Sequence, residues 1–351
     1  VSNRKPDRLG EPPPGGPRER GLGAGRGATA GNGRPVAISA KGLRKSFGEH
    51  VVLNGIDLDV PEGTIFALLG PNGAGKTVTV QILSTLIATD GGEVRVAGHD
   101  LARDPDAVRA AIGVTGQFSA VDDLLTGEEN LILMADLGHL GRSEGRRRAA
   151  ELLDRFDLVE AAKKAPATYS GGMRRRLDLA MTLMGDPHVV FLDEPTTGLD
   201  PRSRRTMWRI IRDLVAGGVT IFLTTQYLEE ADQLADRIAI LDRGKLVAEG
   251  TPEELKRRIP GGHVILRFAD SGRLESAARA VGGTSRDDAL TLQVPTDGSV
   301  GSLKAVLDRL DDGSLGVEGL SVHTPDLDDV FFALTGRLDT ENLDTGKEEP
   351  R

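Results

Sequence analysis

The chain has 351 residues, enough for two or three domains with a sizeable buried core. Its net charge of −9 speaks against nucleic acid as a main partner, and the absence of cysteine excludes a disulfide framework and a thiolate metal site, in keeping with a reducing cytoplasm. The six histidines (50, 99, 139, 188, 263 and 323) form no HxxxH-type pair, so a zinc centre is not expected. No apolar run approaches the ~20 residues needed to cross a bilayer, and the N-terminus lacks the apolar stretch of a secretory signal. Any membrane role must then come through a partner.

Residues 1 to about 35 are rich in Gly, Pro and Arg and read as a disordered, mildly basic tail. Order is expected from Pro35. Val36-Ala37-Ile38 and then Val52, Ile56, Leu58 and Val60 alternate with polar residues, as antiparallel strands do. The apolar run Thr64-Ile65-Phe66-Ala67-Leu68-Leu69 leads straight into Gly70-Pro71-Asn72-Gly73-Ala74-Gly75-Lys76-Thr77, and Val80, Ile82, Leu83, Leu86 and Ile87 follow at helical spacing. A buried strand, a Gly-rich loop and a helix start in that order are what a P-loop requires. Glycines let the loop turn its N–H groups towards phosphate oxygens at the helix N-terminus, Lys76 can reach the β- and γ-phosphates, and the Thr77 hydroxyl can ligate Mg²⁺. A Gly-rich turn that merely precedes Lys-Thr is the plainer reading, and the strand and helix on either side weigh against it. The pattern points to a nucleoside triphosphate.

A short hairpin is expected around Glu93-Val94-Arg95-Val96, and a strand Ile112-Gly113-Val114-Thr115 leads to Gln117. From about 126 to 186 the pattern turns helical, with helices at 130–138, 144–158 and 171–184, an insertion into the nucleotide-binding sheet. The last of these opens with Tyr169-Ser170-Gly171-Gly172-Met173-Arg174, where Ser170 can cap the helix and the glycines admit an anion to its first N–H groups. Most Ser-Gly-Gly helix starts are caps and nothing more; this one stands between the P-loop and a second motif. Val189-Val190-Phe191-Leu192-Asp193-Glu194 is an apolar run ending in two carboxylates, as a strand buried on both faces does when it delivers its C-terminal end to a ligand crevice. Asp193 suits a metal shell and Glu194 the activation of water. Asp200 and Pro201 open a further helix, 219–224 reads as a strand, and Asp242-Arg243-Gly244 joins a hairpin. Alternating strands and helices imply a largely parallel α/β sheet with antiparallel additions. Beyond Pro260-Gly261-Gly262 the order β-α-β-β-α-β, over 263–323, suggests a small ferredoxin-like domain, followed by a helix at 327–334 that packs on the domain or on a partner.

Taken in order, these motifs resemble the ATP-binding subunit of an ABC transporter over about residues 36–255. Residues 70–77 are similar to Walker A, Gln117 to the Q-loop, residues 170–174 to the signature motif, residues 189–194 to Walker B and Gly198-Leu199-Asp200 to the D-loop, while Phe47 stands where an aromatic stacks on adenine. Ser-Gly-Gly is the diagnostic element, because most P-loop proteins lack it. A closer resemblance is to the daunorubicin/doxorubicin-resistance type of ABC ATPase. It is carried by residues 169–180, by Thr224-Thr225-Gln226-Tyr227-Leu228, by residues 116–121 and by Leu327-Asp328-Asp329-Val330-Phe331-Phe332-Ala333-Leu334-Thr335-Gly336.

The resemblance implies an α/β P-loop NTPase fold with an antiparallel β-subdomain and a helical insertion. It implies ATP held by Phe47, Gly70, Pro71, Asn72, Gly73, Ala74, Gly75, Lys76, Thr77, Val78 and Gln117, Mg²⁺ at Thr77, Gln117 and Asp193, and catalysis by Glu194, Gln226 and Lys76. Ser170, Gly171, Gly172 and Asp200 would complete the partner's site in a homodimer. The implied setting is the cytoplasmic face of the cell membrane, beside a separate polytopic, ABC-2-like permease, with export of a hydrophobic compound such as an antibiotic. A lipid- or polysaccharide-type cargo, or a non-transport ABC ATPase, is the alternative. A P-loop kinase or GTPase would leave residues 170–172 without a task. The domain organisation expected is a tail at 1–35, the ATP-binding domain at 36–258 with its helical part at about 118–187, a C-terminal α+β accessory domain at 262–336 and a flexible tail at 337–351.

Three positions depart from the family pattern. Gln226 replaces a histidine; its amide can donate a hydrogen bond to the γ-phosphate but cannot become a cation. Val78 replaces Thr or Ser and removes a hydroxyl from the α-phosphate, at about 1–2 kcal/mol of nucleotide affinity. Met173 replaces the glutamine of the signature.

Overall fold

A computed structural model describes residues 34–117, 119–259, 262–286, 289–296, 299–312, 316–323 and 325–336. The tail expected up to residue 33, the acidic stretch from 337, and Pro260 and Gly261 of the expected second boundary lie outside the described residues.

Strands β1 (Val36–Phe47) and β2 (His50–Pro61) pair antiparallel and are longer than their short apolar runs suggest. Strand β3 (Ile65–Leu69) is buried throughout and feeds α1 (Lys76–Leu83). Strands β4 (Gly91–Val96) and β5 (His99–Asp100) return to β1, which completes an antiparallel sheet in the order β2-β1-β4-β5. Next come α2 (Pro105–Ala111), β6 (Ile112–Thr115), α3 (Gly127–Leu137), α4 (Arg142–Arg155), α5 (Gly171–Thr182) and β7 (Val189–Asp193). They are followed by α6 (Pro201–Ala216), β8 (Thr220–Thr225), α7 (Leu228–Leu234), β9 (Arg237–Asp242), β10 (Lys245–Gly250) and α8 (Pro252–Arg257).

The central sheet runs β10-β9-β3-β8-β7-β6, parallel except for β10 at the edge. Strands β6 and β7 are neighbours in it although α3, α4 and α5 lie between them in sequence, so the helical stretch is an excursion from adjacent strands. Alternation with period two splits β3 between two cores. Ile65, Ala67 and Leu69 face one that also takes in α3 to α8, and Phe66 and Leu68 face another shared with α1 and the antiparallel sheet. Phe66 stacks on Phe222 of β8 at 5.5 Å between ring centroids.

Caps set the helix starts. Thr126 and Glu129 form a reciprocal capping box on α3, Ser170 accepts from the Met173 N–H on α5, and Asp200 accepts from the Arg202 and Ser203 N–H groups ahead of α6 with Pro201 in its first turn.

The remaining elements are β11 (His263–Phe268), α9 (Ser271–Val281), β12 (Thr284–Arg286), β13 (Thr291–Pro295), α10 (Val300–Asp312), β14 (Val317–His323) and α11 (Leu327–Thr335). The third sheet runs β12-β13-β11-β14 with antiparallel neighbours and has its own core, formed by Val264, Leu266, Phe268, Leu274, Leu292 and others. Helix α11 does not join that core. Its Leu327, Val330 and Phe331 belong to the large core of the nucleotide-binding region, where α11 packs against α7 and α8.

Candidate nucleotide site

The site collects at the C-terminal ends of β3, β7 and β8, which lie side by side in the central sheet. The loop after β3 needs its glycines for two reasons. Gly73 and Gly75 have φ of +79° and +111°, a region that side chains disfavour, and Gly75 is the left-handed residue from which α1 springs. Gly70 has no room for a Cβ, which would collide with the Leu241 carbonyl on β9. The loop is braced from outside by the β9–β10 turn: the Gly244 N–H donates to the Ala74 carbonyl at 3.1 Å, and the Gly244 carbonyl accepts from the Asn54 N–H of β2 at 2.8 Å.

Lys76 is 5 % exposed. Its ammonium donates to the carbonyls of Gly70 at 2.8 Å and Pro71 at 3.2 Å, and Nζ lies 3.4 Å from Oε1 of Glu194. The first basic residue of α1 and the carboxylate after β7, far apart in sequence, therefore meet at one point. Glu194 has φ of +48°, a strained setting for a residue with a side chain, at a cost of about 1–3 kcal/mol. Its N–H is held by the Thr224 carbonyl at 3.2 Å and the Thr224 hydroxyl at 3.1 Å. The same hydroxyl donates to Oδ1 of the buried Asp193 at 2.5 Å. Thr224 thus orients both carboxylate residues, a role that the sequence reading did not assign to it.

The other expected site residues lie on several different elements. Thr77 is exposed on the first turn of α1 beside the half-buried Val78, and Asn72 and Gly73 are exposed on the loop. Gln117 is exposed just after β6. Gln226 is half-buried between β8 and α7. Phe47 is 53 % exposed at the end of β1, with the Lys45 ammonium 5.3 Å from its ring centroid. Ser170 and Gly171 are exposed at the start of α5, and Asp200 is exposed at the start of α6. The Ser203 hydroxyl and N–H hold the Asp200 carboxyl below the usual carboxylate range. Gly172 lets α5 approach α6, since a Cβ there would meet the Ser203 side chain.

The structure also shows three buried charged groups that motif reading passed over. Arg175 of α5 reaches the carbonyls of Gly116, Asp193 and Pro195 and pairs with Asp178. Burial pushes the Arg175 guanidinium down and the Asp178 carboxyl up, each partly offset by the other's charge. Glu230 of α7 is fully buried; Oε1 accepts from the Thr196 hydroxyl at 2.7 Å and from the Trp208 indole at 3.1 Å, and burial raises its pKa. The signal that could have found them is a charged residue at an apolar position of an amphipathic helix.

The donor set suits a magnesium nucleotide. Thr77, Gln117 and Asp193 offer hard oxygen ligands, and a single buried carboxylate leaves the remaining coordination to water and phosphate, as Mg²⁺ prefers. Among the described residues no cluster of three His, Cys, Asp or Glu could cage a metal without such help.

A family model described as ABC transporter matches residues 53–197. The daunorubicin resistance ATP-binding protein DrrA2 of Streptomyces coeruleorubidus is 49% identical over 314 residues, covering 88% of this chain and 97% of that protein. The chain belongs to the ATP-binding proteins of ABC transporters. The daunorubicin/doxorubicin resistance ATP-binding protein DrrA of Streptomyces peucetius is 46% identical over 322 residues, 90% of this chain and 97% of that one. Among solved structures, the ATP-binding cassette MJ0796, described as a dimeric post-hydrolysis state bound to ADP and Pi, superposes with a TM-score of 0.56 at 27% identity, covering 61% of this chain and 98% of that one. The α/β P-loop fold with its antiparallel sheet and helical excursion is therefore the ABC ATPase fold, and this ABC protein is an ATPase. Among the described residues no helix is long and apolar enough to cross a membrane.

Proposed function

We propose that this ABC ATPase powers a separate, ABC-2-like membrane permease from the cytoplasmic face of the cell membrane, and that the cargo is a hydrophobic compound of the antibiotic class, exported from the cell. The ion pair of Lys76 with Glu194, and the Thr224 hydroxyl that joins Asp193 to the Glu194 N–H, carry the chemical part of this reading. The resistance proteins DrrA2 and DrrA, which this chain matches over most of their length, support the cargo class.

In this reading residues 70–78 and Gln117 bind the ATP phosphates, with Phe47 against the adenine. The exposed ring of Phe47 offers a free face for that stacking. Lys76 already takes two carbonyls and a carboxylate, so its charge sits where phosphate charge belongs. Glu194 accepts a proton from water as the water oxygen attacks the γ-phosphorus; the bond from that phosphorus to the β,γ-bridging oxygen breaks, and the electron pair leaves with ADP. Gln226, at the end of β8, donates to the γ-phosphate. Mg²⁺ at Thr77, Gln117 and Asp193 would neutralise charge on the phosphate oxygens. Ser170, Gly171, Gly172 and Asp200 contact the nucleotide of a second copy, so ATP joins two subunits and hydrolysis releases them. The expected accessory domain at 262–336 is read as a ferredoxin-like unit over 263–323, with its β-α-β-β-α-β order and antiparallel sheet, while α11 packs on the ATP-binding domain at 36–258.

The test is Glu194→Gln. Steady-state hydrolysis should fall by about 100-fold or more, and MgATP should shift the variant to twice its mass in size-exclusion chromatography. Wild-type turnover in this variant would overturn the assignment of the base. Inverted vesicles carrying the chain and its permease should take up a hydrophobic amphiphilic drug only with ATP, and ATP-independent or absent uptake would remove the cargo class.

A further inference from the structure

Helix α5 carries a buried ion pair outside the nucleotide set. Arg175 and Asp178 lie one turn apart, with side chains 12% and 5% exposed and Nη1 at 3.3 Å from Oδ2. Their partners are backbone groups from two other segments. Nη1 of Arg175 donates to the Gly116 carbonyl at 2.8 Å, and Oδ1 of Asp178 accepts from the Ala120 N–H at 3.1 Å. The pair therefore grips both sides of the short segment that presents Gln117. From the same guanidinium, Nη2 donates to the Asp193 carbonyl at 3.0 Å and the Glu194 carbonyl at 3.5 Å, and Nε donates to the Pro195 carbonyl at 3.1 Å. One side chain thus holds three consecutive carbonyls at the exit of β7, in the stretch where Glu194 adopts its left-handed backbone.

We propose that Arg175 and Asp178 are a positioning pair that fixes Gln117 and Glu194 relative to the first turn of α5, so that movement of the helical region reaches the base and the Gln117 segment together. A planar guanidinium is suited to this task because its donors are fixed in a fork and can serve the Gly116 side and the β7 side at once. A lysine would keep the charge but could not span both. A buried pair of this kind is a weak source of net stability, since desolvation offsets much of its attraction, which leaves geometric control as its gain.

The proposal rests on the reading of Glu194 as the base and Gln117 as a nucleotide-facing group. Its test uses the full chain with its permease and the variants R175K, D178N, R175Q/D178N and E194Q, each measured for kcat, for KM towards ATP and for thermal unfolding. R175K and the doubly neutral R175Q/D178N should melt near the wild type and keep KM within about twofold, while kcat falls by about 10- to 100-fold, the usual cost of misplacing catalytic groups by about 1 Å. A purely structural ion pair would instead be rescued by R175K. Wild-type kcat in R175K, or a loss of kcat in all variants that only follows their loss of fold, overturns the proposal. If E194Q is inactive while R175K is fully active, the pair alone is wrong; if E194Q turns over like the wild type, the site reading falls first and takes the pair with it.

Discussion

Glu230 shows how a single buried side chain sets a pH dependence. Its carboxyl sits among Thr196, Trp208 and the end of β8, and burial raises its pKa above the ordinary glutamate value of about 4.3. The unfolded chain gives up this proton as pH rises through that ordinary value, while the folded chain retains it. The contribution of Glu230 to stability is thus complete below the unfolded pKa and declines as pH climbs towards the raised folded one. Glutamine offers a carbonyl for Thr196 and Trp208 without an ionisable group. Glu230→Gln should therefore flatten the fall of Tm with pH on the alkaline side of about 4.3. Melting curves from pH 5 to 9 that fall as steeply in the variant would show that the carboxyl is ionised in the fold.

Among the elements, the turn after β3 is the least tolerant of substitution. Gly70→Ala drives a methyl into the Leu241 carbonyl of β9, and neither partner is a flexible side chain. A loss of about 1–3 kcal/mol is expected from such overpacking, read by denaturant unfolding, with weaker ATP binding alongside. Wild-type stability would mean that the strand ends shift freely. This loop was legible in the sequence because its constraints are local: spacing, glycines, and an apolar strand and helix on either side. The caps Ser170 and Asp200 were legible for the same reason. Thr224, Arg175 and Glu230 were not, because each acts through partners tens of residues away and has no spacing of its own. The length of β1 and β2 was also missed, since the polar face of their sheet hides alternation behind several register shifts. The short helices α2, α7 and α8, with about two turns or fewer, lacked enough periods to stand out.

At the scale of the whole molecule, shared sites make a distinctive prediction. A Lys76→Ala chain and a Ser170→Ala chain should each be nearly inactive. Mixed together they should recover about a quarter of wild-type turnover, because half the dimers are mixed and each holds one intact pairing of loop and signature. If the mixture stays inactive while the mixed dimer forms, Ser170 works on its own chain's nucleotide. The C-terminal unit enters the same core through α11. Ending the chain at 323 uncovers the side of α7 and α8 where Leu327, Val330 and Phe331 pack. The cost should be about 1.5 kcal/mol or more for each of the three side chains, seen as a lower Tm of the nucleotide-binding region. An unchanged Tm would show that α11 rests on the surface without filling it.

Placing part of that core in α11 also has a consequence for biosynthesis. The chain emerges from the ribosome N-terminus first, so every catalytic group is made long before the helix that finishes the packing beneath α7 and α8. A nascent chain holds that apolar seam open until residue 336 has cleared the exit tunnel, and a prematurely terminated product keeps it open for good. An uncovered seam of that kind is an exposed apolar patch, the sort of surface that draws unfinished chains into aggregation.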